Sequence, residues 1–347
     1  MTVTYHSGER IQATQADFDG IPAISGGWKE VARTTLGSAG DTISVASLAD
    51  KRYYMVLGNH LPSGNFRTTY RLNNDSGSNY ALRKSEDGGS ENVTTSITDI
   101  TSGNEDTNTQ YFDVSYLSNL SAKEKLMINH NMRSGGTGAG NAPKRVEAVS
   151  KWANTSIVIN RIDAVNDQGG DYASGSEVVV LGWDPDDTHT TNFWEQLASV
   201  EGDGTSTTIS SGTIPARKYL WVQAFTNASS QNTGFQFNND TGNNYTIRRS
   251  TNGGTDATET SIGYIEGSDT SKAFTNMFII NNSANEKLTI GQSIHNPTAG
   301  AGTAPTRNEV AGKWTNTSAQ ITEIDYMQQT TSVNFPSGSF IKVWGSN

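Results

Sequence analysis

The chain alternates apolar and polar residues over short runs, with the period of two that a half-buried β-strand requires. Such runs recur every 10 to 20 residues: TISVASL, RYYMVLGN, FRTTYRLN, YALRKS, TQYFDVSYL, EKLMINHNM, SIVINRIDAV and EVVVLGW. No segment carries a sustained helical period. Between the runs stand clusters of Asn, Asp, Ser, Thr and Gly, the residues that close turns. Asp87-Gly88 and Asn252-Gly253 are dipeptides of the kind that form two-residue hairpin turns. The pattern predicts an all-β chain of about eight to ten strands per unit, arranged as a jelly-roll-like β-sandwich.

The units are two. RLNNDSGSNYALRKSEDGG (71 to 89) matches QFNNDTGNNYTIRRSTNGG (236 to 254) at ten of nineteen positions. GTGAGNAPKRVEAVSKWANTSIVINRID (136 to 163) matches TAGAGTAPTRNEVAGKWTNTSAQITEID (298 to 325) at fifteen of twenty-eight. An aromatic pair before Glu opens each copy (GWKE, FWEQ), and Gly-Ser with an apolar strand closes it (GSEVVVLG, GSFIKVWG). A period near 165 residues is a whole domain rather than a solenoid repeat. The expected organisation is an N-terminal arm (1 to 26), a first module (27 to 183), a polar linker (184 to 191) read as a short hinge, and a second module (192 to 347).

Composition narrows the function classes. Only 33% of the 347 residues are hydrophobic and 17% charged, and the net charge is −10. An acidic chain without a Lys/Arg cluster does not suit nucleic acid. There is no cysteine, hence no disulfide framework, thiolate metal site or cysteine nucleophile. No apolar run reaches 18 residues, so no membrane insertion is expected, and the N-terminal MTVTYHSGERIQATQ has no apolar core of an ordinary signal peptide. If the protein ends up outside a cell, the expectation is a route other than an ordinary signal peptide, release by lysis being one.

Three motifs kept in both copies are candidate sites. The first is NND-S/T-G-x-NY: Asn73, Asn74, Asp75, Asn79 and Tyr80, repeated as Asn238, Asn239, Asp240, Asn244 and Tyr245. Short amide and carboxylate side chains suit a turn in which the Gly takes a positive φ. They also suit contact with a polar ligand such as a glycan, whereas one carboxylate among amides is thin for Ca²⁺. The second is P-x-R-x-E-x-x-x-K-W. On a strand, Arg145, Glu147 and Lys151 share one face, as do Arg307, Glu309 and Lys313, while Trp152 and Trp314 face the core. Such a charged face is expected to be solvated or to form a domain or subunit interface. The third is the glycine-rich stretch at 135 to 143, echoed at 298 to 305. It lacks the G-K-[ST] ending of a phosphate loop and reads as a flexible loop.

No catalytic, cofactor or metal residue is expected. His130 and His295 precede the glycine-rich stretches without a second ligand at metal spacing, and His6 and His189 fall in the arm and the hinge. The acids kept in both copies are Glu124 and Glu286, Glu147 and Glu309, and Asp163 and Asp325. Two of these pairs neighbour Lys or Arg, which points to ion pairs.

The opening HSGERIQ, the GW-x-E start, the central N-N-D-T/S-G-x-N-Y and the GS-x-I-x-V-x-G ending resemble virion structural proteins of tailed phages and archaeal viruses: tail, fibre, decoration or capsid-surface proteins. That resemblance covers the chain from about residue 27, once per module. It implies a jelly-roll-like domain displayed on a particle, assembled in the host cytoplasm, frequently as a homo-oligomer (trimer favoured), in contact with other virion proteins and with host surface glycans. Two tandem modules also fit a double jelly-roll capsid protein. A secreted carbohydrate-binding module is the alternative of another class.

Overall fold

The computed structural model describes residues 27–347 apart from 104, 105, 108, 188–190, 229, 269, 270, 297, 331 and 332. The predicted arm, with His6, and the hinge residue His189 lie outside the described residues.

The alternating runs form antiparallel strands, and no helix occurs among the described residues. In the first module an eight-stranded sheet runs in the order Lys29–Thr35, Glu177–Trp183, Tyr53–His60, Tyr111–Ser118, Lys125–Arg133, Lys144–Trp152, Tyr80–Glu86, Asn92–Ile97. A four-stranded sheet, Thr42–Ala46, Arg161–Asn166, Thr68–Leu72, Ile100–Thr101, covers its inner face. The second module repeats this order in an eight-stranded sheet from Glu195–Glu201 to Ala257–Ile262 and a four-stranded sheet from Thr208–Ser210 to Ile265–Ser268. The chain is therefore all-β, with two tandem jelly-roll-like sandwiches.

Each sandwich has its own apolar core. Tyr54, Tyr70, Tyr80, Trp152 and Ile162 anchor the first, and Phe235, Phe237, Tyr245, Trp314 and Ile324 the second. Each fully buried large side chain of this type contributes about 1.5 to 3 kcal/mol. A third apolar cluster belongs to neither sandwich. It joins Leu57, Phe112 and Met132 of the first module to Tyr219, Phe278 and Leu288 of the second. These residues lie on the outer faces of the two large sheets, so the modules pack face to face. The linker thus connects packed modules rather than freely pivoting ones. Its first residues are themselves held, Asp184 and Asp187 pairing with Arg52 and Lys51.

Asp87-Gly88 and Asn252-Gly253 turn as expected, with φ of 51° and 69°, and 54° and 71°. In both, the chain closes by an i to i+3 hydrogen bond, Gly89 N to Glu86 O at 2.8 Å and Gly254 N to Thr251 O at 3.0 Å. Positive φ at both central positions is the hairpin geometry that matches strand twist.

Candidate functional site

The NND motif is a turn in both modules. Asn73 and Asn74 are its central residues, with φ of 53° and 56°, and Asp75 N donates to Leu72 O at 3.0 Å. The positive φ expected of Gly77 is carried instead by the two asparagines, whose side chains tolerate the left-handed region. Gly77 serves by its small size: a Cβ there would stand 2.8 Å from the Asn79 amide nitrogen and 3.1 Å from Asp75 Oδ1. Asn73 Oδ1 accepts from the backbone of Asn160 and Arg161, and its amide donates to Val158 O. The turn is thereby bound to the neighbouring strand of the small sheet, Arg161–Asn166, and to the loop that leads into it. Asn238 repeats every one of these bonds, to Thr322, Glu323 and Gln320.

The Asp75 carboxylate accepts from Trp152 Nε1 at 2.7 Å, Gly77 N at 2.8 Å and Asn79 Nδ2 at 2.9 Å. Asp240 does the same with Trp314, Gly242 and Asn244. Burial opposes ionisation at both aspartates, yet the donated hydrogen bonds more than offset it and hold each carboxyl below the usual range. Tyr80 and Tyr245 are buried, and their hydroxyls accept from Leu72 N and Phe237 N and donate to Asp75 O and Asp240 O. Burial raises both phenols. Neither ring is available to stack on a glycan. Of the two roles open to the motif, its atoms perform turn closure and core anchoring, with Asn74, Asn79 and Asn244 exposed at the rim.

The charged strand faces exist as expected, but their surroundings differ. In the second module Glu309 and Lys313 are buried; in the first, Lys151 and Glu124 form an exposed pair at 2.9 Å. The difference comes from the seam between modules. Arg145, on the strand Lys144–Trp152, reaches across to Asp256 with two hydrogen bonds, Nε to Oδ2 at 2.9 Å and Nη2 to Oδ1 at 2.8 Å. It also pairs with Glu147 and lies 3.4 Å from Glu309. The glycine-rich stretch is docked here rather than free: Gly138 N donates to Glu286 Oε1 at 2.6 Å, and Lys313 donates to Gly136 O and, at 3.1 Å, to Glu286. Arg248 donates to Pro143 O at 2.7 Å, and Ser261 N to Ala139 O at 2.9 Å. At the other side of the seam Glu177 accepts from Lys218 at 2.9 Å and Tyr219 at 2.8 Å.

His130 sits inside this seam, its Nδ1 3.0 Å from Gln292 Nε2. Burial depresses its basicity. The strand registers make Gln292, not His295, its repeat counterpart, since Glu147 pairs with His130 and Glu309 with Gln292. Two histidines therefore do not meet. A small cavity of about 20 Å³ lies between His130, Glu147, Ile290 and Glu309. Burial, reinforced by the neighbouring Glu147 carboxylate, pushes Glu309 up to about 7.

Two buried polar arrangements escaped the sequence reading. Lys125 and Lys287 are buried, and each ammonium donates to two loop carbonyls, those of Lys123 and Asn154 and those of Asn285 and Asn316. Burial lowers Lys287 to about 8. In the first module alone, Asp113 accepts from Tyr70 at 2.8 Å and lies 3.1 Å from His60 Nε2, all three fully buried. Asn129 and Asn131 continue the network. The strand Lys125–Arg133 turns Lys125, Asn129, Asn131 and Arg133 inward beside Met127, with Leu126, Ile128, His130 and Met132 outward, largely the reverse of ordinary alternation. The repeated pairs of neighbouring charges are ion pairs as read: Glu124 with Lys151, Glu147 with Arg145, Glu286 with Lys313 and Glu309 with Arg307. Asp163 pairs with Arg161 at 2.8 Å.

No family model and no curated protein matches the chain. Among solved structures, domains LG4-5 of the mouse laminin alpha1 chain align over 93% of this chain and 92% of that one, at 10% identity and a TM-score of 0.19. The LG1-3 region of the laminin alpha2 chain aligns over 88% of this chain and 64% of that one, at 9% identity and 0.21. Ail, the attachment invasion locus protein of Yersinia pestis, aligns over 77% and 99%, at 8% identity and 0.14. Scores this low carry no argument about this chain.

Proposed function

We propose that the chain is a non-catalytic building block of a virion surface or shell, acting through the packing of its β-sandwich modules. The observation that carries this reading is the use made of the positions both copies retain. Asn73, Asp75, Tyr80 and Trp152, with their counterparts, close turns and anchor cores, and Arg145, Glu286 and Lys313 hold one module on the other. Face-to-face packing of the large sheets favours stacked knobs, as in a fibre, spike or decoration protein, over the side-by-side modules of a double jelly-roll shell. A homo-oligomer, other virion proteins and host glycans are the partners of such a protein, with glycan contact left to loops rather than to the buried Tyr80 and Tyr245.

Negative-stain imaging of the purified protein, and of particles labelled with an antibody to it, tests the reading. Regular oligomers and label on the particle exterior are the expected result. A protein that stays a single chain, labels no particle and binds glycans on an array would overturn it in favour of a secreted carbohydrate-binding module.

A further inference from the structure

The seam joins unequal halves of two equivalent faces. The first module contributes the end of its large sheet that bears Met132, Arg145 and the loop 135 to 143. The second contributes the opposite end, bearing Leu288, Lys313 and Glu286. Each module therefore keeps, unused, the half that its twin has used. Repeat-equivalent residues then differ in burial: Leu288 is 0% exposed and Leu126 56%, while Met132 is 0% exposed and Ile294 46%.

The unused half of the first module is mainly apolar, and that of the second sets Phe274 and Ile294 among Asn276, Gln292 and Arg307. Tyr116, Ile128, Val149, Arg83 and Val93 follow one another across neighbouring strands of the first module, in one row on the outer face. Of the nine large apolar side chains that are exposed among the described residues, eight lie on these halves: Val93, Tyr116, Leu120, Leu126, Ile128 and Val149 on the first module, Phe274 and Ile294 on the second. Concentration of exposed apolar surface in this way marks an interaction face.

We infer that the unused half of the second module docks on the unused half of the first module in another copy of this chain, repeating between chains the seam seen within one. The chemistry is complementary at the charged positions of the seam and at the glycine-rich loop. Arg307, the counterpart of Arg145, is exposed, and Glu91, the counterpart of Asp256, is exposed and held only by Arg83 among the described residues. Lys151 and Glu124 stand as Lys313 and Glu286 do, ready for a glycine-rich loop. The loop 298 to 305 supplies it, with Gly300 at φ 95° where Gly138 has 86°. Because the two surfaces differ, the contact is heterologous, and repetition produces a closed ring or an open fibre rather than a dimer whose one contact straddles a two-fold axis. The inference deepens the building-block reading and rests on it for its biological setting.

Ile128→Asp spoils one surface and Ile294→Asp the other, each at an exposed position where the fold is unaffected. In sedimentation, the wild type is expected to form rings or fibres and each variant alone to stay a single chain. An equal mixture is expected to give a one-to-one complex, through the one pair of surfaces left intact. As a second readout, Glu91→Cys and Arg307→Cys chains, mixed and treated with a bis-maleimide linker long enough to span an arginine–aspartate pair, should cross-link one to the other, since the native chain has no cysteine. Variants that assemble like the wild type, a mixture that stays monomeric, a wild type that never associates, or no cross-link would overturn the contact. Particle labelling without this pattern would leave the building-block reading standing and remove only the head-to-tail contact.

Discussion

Arg145 and Arg307 are the same residue in two copies of one fold, and the seam alone distinguishes them. The Arg145 side chain is 9% exposed and forms two hydrogen bonds with Asp256, whose side chain is 1% exposed. The Arg307 side chain is 59% exposed and, among the described residues, holds a single partner, Glu309, at 2.9 Å. Replacing Arg145 by Met keeps most of the apolar stem but leaves Asp256, among the described residues, with only Arg248 at 3.8 Å. Removal of one member of a buried pair costs about 3 to 5 kcal/mol; loss of an exposed pair costs about 0 to 1 kcal/mol. The expected difference between Arg145→Met and Arg307→Met is therefore about 2 to 5 kcal/mol. Urea unfolding of the two variants, diluted to the single chain and followed by tryptophan fluorescence, to which Trp221 and Trp344 beside the seam contribute, measures it. Equal losses, within about 0.5 kcal/mol, would refute the seam as the source of the asymmetry.

Three further outcomes are expected. Asp75→Ala and Asp240→Ala each leave a tryptophan N–H without its carboxylate and should cost about 1 to 3 kcal/mol in urea midpoints. Since both carboxyls titrate below the usual range when folded, their contribution is complete above the ordinary carboxylate pKa and disappears as pH falls through the folded value. Gly58→Ala drives a Cβ against Asp113 Oδ1 and within 2.9 Å of the Tyr70 hydroxyl, so thermal unfolding should show a loss of about 1 to 3 kcal/mol; its counterpart Ala224, beside Thr275 rather than an aspartate, already carries that methyl. Glu309 titrates near 7 when folded, so the stability linked to its proton is complete below the ordinary glutamate value and is lost as pH rises through 7. The advantage of Glu309→Gln over wild type should accordingly grow from pH 5 to pH 8, by about 1 to 2 kcal/mol after solvent screening, whereas an advantage constant with pH would contradict a Glu309 whose carboxyl is raised by burial beside Glu147.

Alternation and turn chemistry made the sandwiches legible, because both act over a few residues. The Asn73 to Tyr80 turn is closed almost wholly by its own atoms and by Trp152, so its repeat in sequence carried its structure with it. The strand Lys144–Trp152 was legible for the same reason, with Val146, Ala148 and Trp152 inward and Arg145, Glu147 and Lys151 outward. Its neighbour Lys125–Arg133 was not. Asn129 and Asn131 face inward only because Asp113 and Ser102, distant in sequence, receive them there. Buried lysines are equally hidden, since Lys125 depends on carbonyls presented by a loop 29 residues away. The seam was least legible. Both copies present the same outer-face pattern, and which half is covered depends on how two finished sheets meet.

Cysteine labelling reads that choice directly in a chain that has no cysteine of its own. Single substitutions Leu126→Cys, Leu288→Cys, Met132→Cys and Ile294→Cys place thiols at two pairs of repeat-equivalent positions on the outer faces. At a dilution where the chain is single, fast labelling at 126 and 294 with strong protection at 288 and 132 is the predicted result. Equal rates within each equivalent pair would contradict a seam built from unequal halves.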